Sequence, residues 1–136
     1  MNANQQSAIS STLTDLAVTL IIVLGLIHLE IVPDYFTGAA YQGMLLMGGA
    51  VAALIAAVGI HRGSKVWGWG LGLLVATSAM GLYLVSHTIG LPGLAVDTTW
   101  FEPIGMLSLI VEGAYIILTL KVLTQNQSSG KMNLAS

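Results

Sequence analysis

The chain has 136 residues, of which 55% are hydrophobic and only 7% are charged, and its formal net charge is −2. Soluble domains carry roughly 25% charged residues, so this composition excludes an ordinary soluble domain. The chain has no basic cluster that would bind nucleic acid, and without cysteine it has no disulfide or thiolate metal site.

Four apolar stretches are each long enough to cross a bilayer as a helix, which takes about 20 residues. Because they are continuously apolar, they indicate helices rather than barrel strands, which would alternate in polarity. We therefore predict an all-α integral membrane four-helix bundle with up-down-up-down topology, formed by residues 1–123. The predicted spans are residues 15–32, 38–60, 66–88 and 103–123, followed by a disordered cytoplasmic tail at 124–136.

Two histidines lie near the ends of the first and third predicted spans. Pro33 is expected to end the first span, which places His28 about one turn before that end, and His87 has the same position in the third span. The two spans are diagonal and parallel in such a bundle. The imidazoles are therefore candidate metal ligands, either as axial ligands of a haem b or for a metal ion completed by Glu102 or Glu112. The alternative is that each histidine makes one local hydrogen bond near the membrane surface.

Small residues recur at four-residue spacing in the second and third spans. The two rows are Gly49, Ala53 and Ala57, and Gly68, Gly72 and Ala76. Such rows let helix backbones approach closely in lipid. We expect them to pack within one protomer, and the alternative is that they form the interface of a homodimer or of a larger membrane complex.

The fourth span carries a carboxylate in its apolar interior, Glu112. A charged side chain at the bilayer centre costs about 2.5 to 3.5 kcal/mol, so such residues usually face the bundle interior and mark proton, ion or ligand sites. The alternative is a neutral acid that ties two helices together by a hydrogen bond. Spacings of three and four residues place five small or polar side chains on one helical face: Gly105, Ser108, Glu112, Tyr115 and Thr119.

The distribution of charge predicts the orientation in the membrane. Arg62 and Lys65 lie between spans two and three, and Lys121 and Lys131 lie at or beyond the end of span four. Cytoplasmic loops carry the excess of lysine and arginine, so both termini are predicted to be cytoplasmic, in a plasma or inner membrane. The opposite side has no lysine or arginine and holds four acidic residues: Glu30, Asp34, Asp97 and Glu102.

A motif at the end of the third span, Ser86-His87-Thr88-Ile89-Gly90-Leu91-Pro92, resembles one in a group of small four-span bacterial membrane proteins. That group is expected to have Ser-Arg-Thr-x-Gly-Leu-Pro there and an acidic residue at the positions of Glu102 and Glu112. The resemblance covers residues 28–112 and implies the four-span fold, without an activity. Because arginine cannot ligate iron, the resemblance favours a positively charged side chain at the position of His87, near an acidic residue, over a haem ligand.

These features lead to two functional hypotheses, neither of which is an enzyme acting alone. In the first, an outward-facing polar pocket binds a proton, a cation, a metal or haem, or a small ligand. Its candidate residues are Glu112, His28, His87, Glu102, Ser108 and Tyr115. In the second, the chain is an accessory or assembly subunit of a larger membrane complex, since it has almost no mass outside the bilayer and no catalytic motif.

Overall fold

The computed structural model describes the backbone of residues 3–132 and the side chains of residues 10–125. Within that part of the chain all regular structure is helical, which confirms the all-α prediction. The elements are α1 (Ala3–Gly38), α2 (Ala40–His61), a π-helical turn (Lys65–Gly70), α3 (Leu71–Thr88) and α4 (Pro103–Met132).

The helices form a four-helix bundle, and in the described residues four segments are long and apolar enough to cross a membrane. Each of α1 and α3 packs along both α2 and α4, so α1 and α3 are diagonal partners, as predicted. We call the end that holds Ala39 and residues 89–102 the outer end, and the end that holds residues 62–64 the inner end. The four segments are Ser10–Gly38, Ala40–His61, Lys65–Thr88 and Pro103–Gln125.

The first span is longer than predicted, because Pro33 lies inside α1 and does not end it. Proline removes one N–H donor from the helix, which leaves the carbonyl of Leu29 without its usual partner. Both residues lie on the exposed side of α1. An unwound backbone in lipid would leave many more groups unpaired, so the helix continues to Gly38. As a consequence, His28 lies ten residues from the outer end of α1, about 15 Å along the helix axis.

The last helix begins at Pro103 as predicted but does not end at Leu123. It continues to Met132 through most of the segment that was predicted to be disordered, and residues 133–136 lie outside the described part of the chain. No proline interrupts this segment, and its polar residues are compatible with a helix. The hydroxyl of Thr124 also donates to the Leu120 carbonyl at 2.9 Å, which satisfies the side chain on the helix itself.

Glycines bring α2 into backbone contact with the π-helical turn that precedes α3, near the inner end. A Cβ on Gly68 would lie 2.5 Å from the backbone nitrogen of Ile60, and a Cβ on Gly59 would lie 2.6 Å from the nitrogen of Gly68. The Tyr115 hydroxyl of α4 packs directly on Gly72 in the same way. Ala53 and Ala76 are fully buried. The rows of small residues therefore pack inside the protomer.

Candidate functional site

A histidine and a glutamate from neighbouring helices meet in the interior of the bundle. Nε2 of His28 on α1 lies 3.8 Å from Oε1 of Glu112 on α4. The two residues are 4% and 2% exposed, so neither reaches bulk solvent. We call them the acid–imidazole pair. Ser108, one turn before Glu112, donates a hydrogen bond to the same carboxyl oxygen at 2.8 Å.

The acid–imidazole pair carries unused hydrogen-bonding capacity. Nδ1 of His28 and Oε2 of Glu112 are both buried, and neither has a hydrogen-bond partner among the described residues. A Cβ on Gly49 would lie 3.2 Å from Nδ1, so that face of the ring packs on the α2 backbone. Leaving a buried polar group unpaired costs about 1 to 3 kcal/mol. The pair therefore provides polar atoms that a ligand or a proton could use.

The pair lies deep in a partly open cavity, the outer pocket, which has a volume of about 990 Å³, and we call the region around the pair its floor. All four helices and residues 91–97 contribute to its walls, and most of the lining residues are apolar. Leu71, Leu74 and Val75 line the inner part of the cavity around the pair, and Leu45, Leu82 and Leu109 line the middle, between the pair and the mouth. Ligand sites in proteins usually measure about 300 to 1,000 Å³ and combine apolar walls with a few polar groups. The outer pocket has both properties.

The carboxylates of the chain are concentrated in this pocket. Five of the six aspartates and glutamates line it: Glu30, Asp34, Asp97, Glu102 and Glu112. Asp34, Asp97 and Glu102 surround the mouth near the outer end. Glu30 is exposed on α1 two residues from His28, and of the five only Glu112 is buried. The sixth, Asp15, is exposed on α1. Among the side chains of residues 10–125, no lysine or arginine lines the pocket.

The second histidine belongs to a different cluster at the outer end. The ring of His87 stacks on Tyr83 at a centroid distance of 4.1 Å and lies 4.9 Å from the Trp100 ring. Its Nδ1 lies 2.8 Å from the Tyr83 carbonyl, and its Nε2 lies 3.8 Å from Oδ2 of Asp97. His87 therefore lies between two aromatic rings and the carboxylate of Asp97.

Beyond its junctions with α3 and α4, the outer loop (residues 89–102) is attached to the bundle by three hydrogen bonds. The hydroxyl of Tyr41 donates to the Pro92 carbonyl, and the hydroxyl of Tyr83 donates to the Trp100 carbonyl, both at 2.8 Å. The third attachment is the backbone N–H of Asp97, which donates to the Ser86 carbonyl at 2.9 Å. The loop therefore forms a fixed wall of the outer pocket.

Asp97 keeps its charge at the mouth of the pocket. Hydrogen bonds from the hydroxyl and the backbone N–H of Thr99, assisted by the nearby His87, lower the pKa of the Asp97 carboxyl below its ordinary value of 3.8. The stabilisation from this carboxylate is therefore present above that value and is lost as the pH falls through the lowered pKa. Asp97 is consequently ionised throughout the neutral range.

The structure brings together only part of the predicted site. His28, Ser108 and Glu112 form one cluster, and Glu102 lies at the mouth of the same pocket. His87 lies near the outer end of α3, far from the depth of His28, and has its own partners. The two imidazoles thus do not face one another as axial haem ligands would. Among the described residues, no group of three or more histidine, aspartate or glutamate side chains could hold a metal ion.

The polar face of α4 continues below the floor of the pocket. Tyr115 and Thr119 are both fully buried, so the predicted face is turned toward protein, but neither lines the outer pocket. Sequence reasoning missed two residues of the site, Gly49 and Tyr83. The four-residue spacing from Tyr83 to His87 was a usable signal, because residues so spaced lie on one helical face.

The fold and the site define a multi-pass helical membrane protein with an internal, acid-lined pocket. The chain was compared with protein-family models, with curated proteins and with solved structures, and none of the three comparisons gave a match. The function is therefore inferred from the geometry of the pocket.

Proposed function

We propose that this protein binds a small ligand inside the membrane, in the outer pocket, and that the acid–imidazole pair exchanges a proton when the ligand binds. The observation that carries the proposal is the pair of unpartnered, buried atoms at the floor, Nδ1 of His28 and Oε2 of Glu112. Buried polar groups are normally hydrogen-bonded, and exceptions in a native structure call for an explanation. A site that must accept a ligand or release a proton supplies one.

The proposal also includes the membrane orientation. Arg62 and Lys65 lie at the inner end, and we infer that this end faces the cytoplasm, with both termini on that side and the pocket opening outward. Membership of the group of small four-span bacterial membrane proteins stays a prediction. The rows of small residues pack within the chain, so they do not supply the partner surface that an accessory subunit needs.

Adjacent residues on α4 give a matched test of the pocket. Leu109 lines the cavity, whereas its neighbour Ile110 does not line it and is 63% exposed on the bundle surface. The two differ by only about 1.5 Å in depth. Because the chain has no cysteine, Leu109→Cys and Ile110→Cys each introduce a single thiol. The measurement is the rate of modification in lipid by two membrane-impermeant methanethiosulfonates, one cationic and one anionic.

We expect at least one reagent to modify the Leu109→Cys thiol at least tenfold faster than the Ile110→Cys thiol. A factor on that order separates a thiol in contact with water from one covered by lipid. The Ile110→Cys thiol is expected to stay unmodified in the bilayer, because it faces acyl chains. Equally slow modification of both thiols by both reagents would mean that the cavity is closed to water, and it would refute the proposed function.

A further inference from the structure

We propose that the ligand of the outer pocket is a lipophilic organic monocation, such as a substituted ammonium or phosphonium ion; this inference rests on the proposed function. Five of the six carboxylates of the chain line the pocket, and no lysine or arginine within residues 10–125 does. An anionic ligand would meet like charge at both the mouth and the floor. A neutral ligand would leave the concentration of acids without a role.

The depth of the carboxylates divides the pocket into three zones. At the mouth, Asp97 and Glu102 are accessible to water and attract cations from solution. The middle zone is apolar and fits a hydrocarbon body. At the floor, Glu112 is 2% exposed and has one oxygen without a partner. Because charges interact more strongly where water is excluded, this single carboxylate can hold a monocation that has shed its hydration shell.

The lining distinguishes an organic cation from a metal ion. A metal ion takes several oxygen or nitrogen ligands at close range, and the described residues contain no cluster of three such side chains. A bulky cation with delocalised charge needs none, since it loses little hydration on entering an apolar site. Tyr35 and Tyr83 also line the pocket, and aromatic faces attract such cations.

Charge balance at the floor predicts a proton released on binding. An acid–imidazole pair that holds one proton has no net charge, whether the proton is on Glu112 or on His28, where it leaves a carboxylate beside an imidazolium. When a monocation takes its place beside the carboxylate, that one proton leaves for solution and the site stays neutral. Affinity therefore rises about tenfold per pH unit over the range in which the empty pair keeps its proton.

The test compares two ions of nearly the same shape and opposite charge, tetraphenylphosphonium and tetraphenylborate. The full chain is placed in nanodiscs of phosphatidylcholine, which has no net charge, and binding is measured by equilibrium dialysis from pH 6 to pH 8.

We expect saturable binding of the phosphonium ion only. Glu112→Gln should weaken it at least about tenfold, because the floor can no longer become negative. Asp15→Asn removes the one carboxylate outside the pocket and is the matched control, expected to bind as the unmodified chain does.

A second pair of variants keeps the test valid if Glu112→Gln does not fold. Ser78 lines the pocket and is exposed, so Ser78→Lys adds a positive charge to the pocket without disturbing the core. It should abolish phosphonium binding, whereas Ser78→Gln should retain it.

Each contrary outcome overturns a defined part of the account. If tetraphenylborate binds saturably, or if neither ion binds while Leu109→Cys is still modified, the charge inference is wrong and the proposed function stands. If neither ion binds and Leu109→Cys is unreactive, both are wrong. Phosphonium binding that is independent of pH would overturn proton release.

Discussion

Replacing Gly68 with alanine is expected to lower the free energy of unfolding by about 2 to 3 kcal/mol, the upper part of the usual range for overpacked sites. The new Cβ would lie 2.5 Å from the nitrogen and 2.9 Å from the Cα of Ile60, and 2.7 Å from the carbonyl carbon of Gly59. All three atoms belong to the α2 backbone, so no side chain can rotate away. The two helices must separate, and they lose dispersion contacts that lipid does not replace.

Gly81 provides the control. It lies on α3, in the same membrane-spanning segment as Gly68, and a Cβ there has no neighbour within 4 Å. Gly81→Ala should therefore be neutral or stabilise the protein by about 0.5 to 1 kcal/mol, because alanine is the better helix former. Both variants can be unfolded in mixed micelles with increasing dodecyl sulfate and followed by tryptophan fluorescence. Equal stabilities of the two variants would contradict the close contact of α2 with the π-helical turn.

The second large effect is expected at the acid–imidazole pair. Glu112→Leu alone leaves His28 without its acid neighbour, and His28→Leu alone leaves the carboxyl with only Ser108. Each single change is expected to cost about 1 to 3 kcal/mol, the usual penalty for an unsatisfied buried polar group. The double change should recover most of that loss, because apolar residues often replace a buried polar pair without net cost.

The double variant separates a binding role of the pair from a structural one. If the pair serves binding, the double variant is nearly as stable as the unmodified chain and no longer binds tetraphenylphosphonium. If the pair is only a tie between α1 and α4, each single change already removes the tie, so the double variant is about as unstable as either single variant and still binds tetraphenylphosphonium. The stabilities of all four proteins, measured in the same micelle titration, give the coupling energy directly.

The bundle and the acid at its centre could be predicted from sequence because both depend on local patterns. Spans of about 20 apolar residues have few alternatives in a bilayer. Glu112 is unusual in such a span, and the spacing of Ser108, Tyr115 and Thr119 determines which face of α4 is buried. The start of α4 at Pro103 was predictable for a similar reason, since proline is tolerated in the first turn of a helix.

His28 and Glu112 were predicted to share one pocket, but which of the two histidines contacts Glu112 could not be predicted, because it depends on where α1 ends. When Pro33 is taken as the end, His28 lies near the membrane surface and pairs in depth with His87. In the structure α1 continues to Gly38, and His28 moves to the depth of Glu112 instead. One proline on an exposed face thus decides between a two-histidine site and an acid–imidazole pair. Whether α1 continues past Pro33 depends on two free energies, that of one missing hydrogen bond and that of unwound backbone in lipid. Which of them is larger depends on the folded bundle.

The most direct test of this account is the contact between His28 and Glu112 in a bilayer. The chain has three histidines, and its glutamates are Glu30, Glu102 and Glu112, so ¹⁵N-histidine and ¹³C-carboxyl-glutamate labelling gives few signals. Solid-state NMR should detect dipolar dephasing between one imidazole nitrogen and one glutamate carboxyl carbon, since Nε2 lies 3.8 Å from Oε1. The dephasing should vanish in Glu112→Gln and remain in Glu102→Gln. No dephasing in the unmodified chain would contradict the acid–imidazole pair and the binding site built on it.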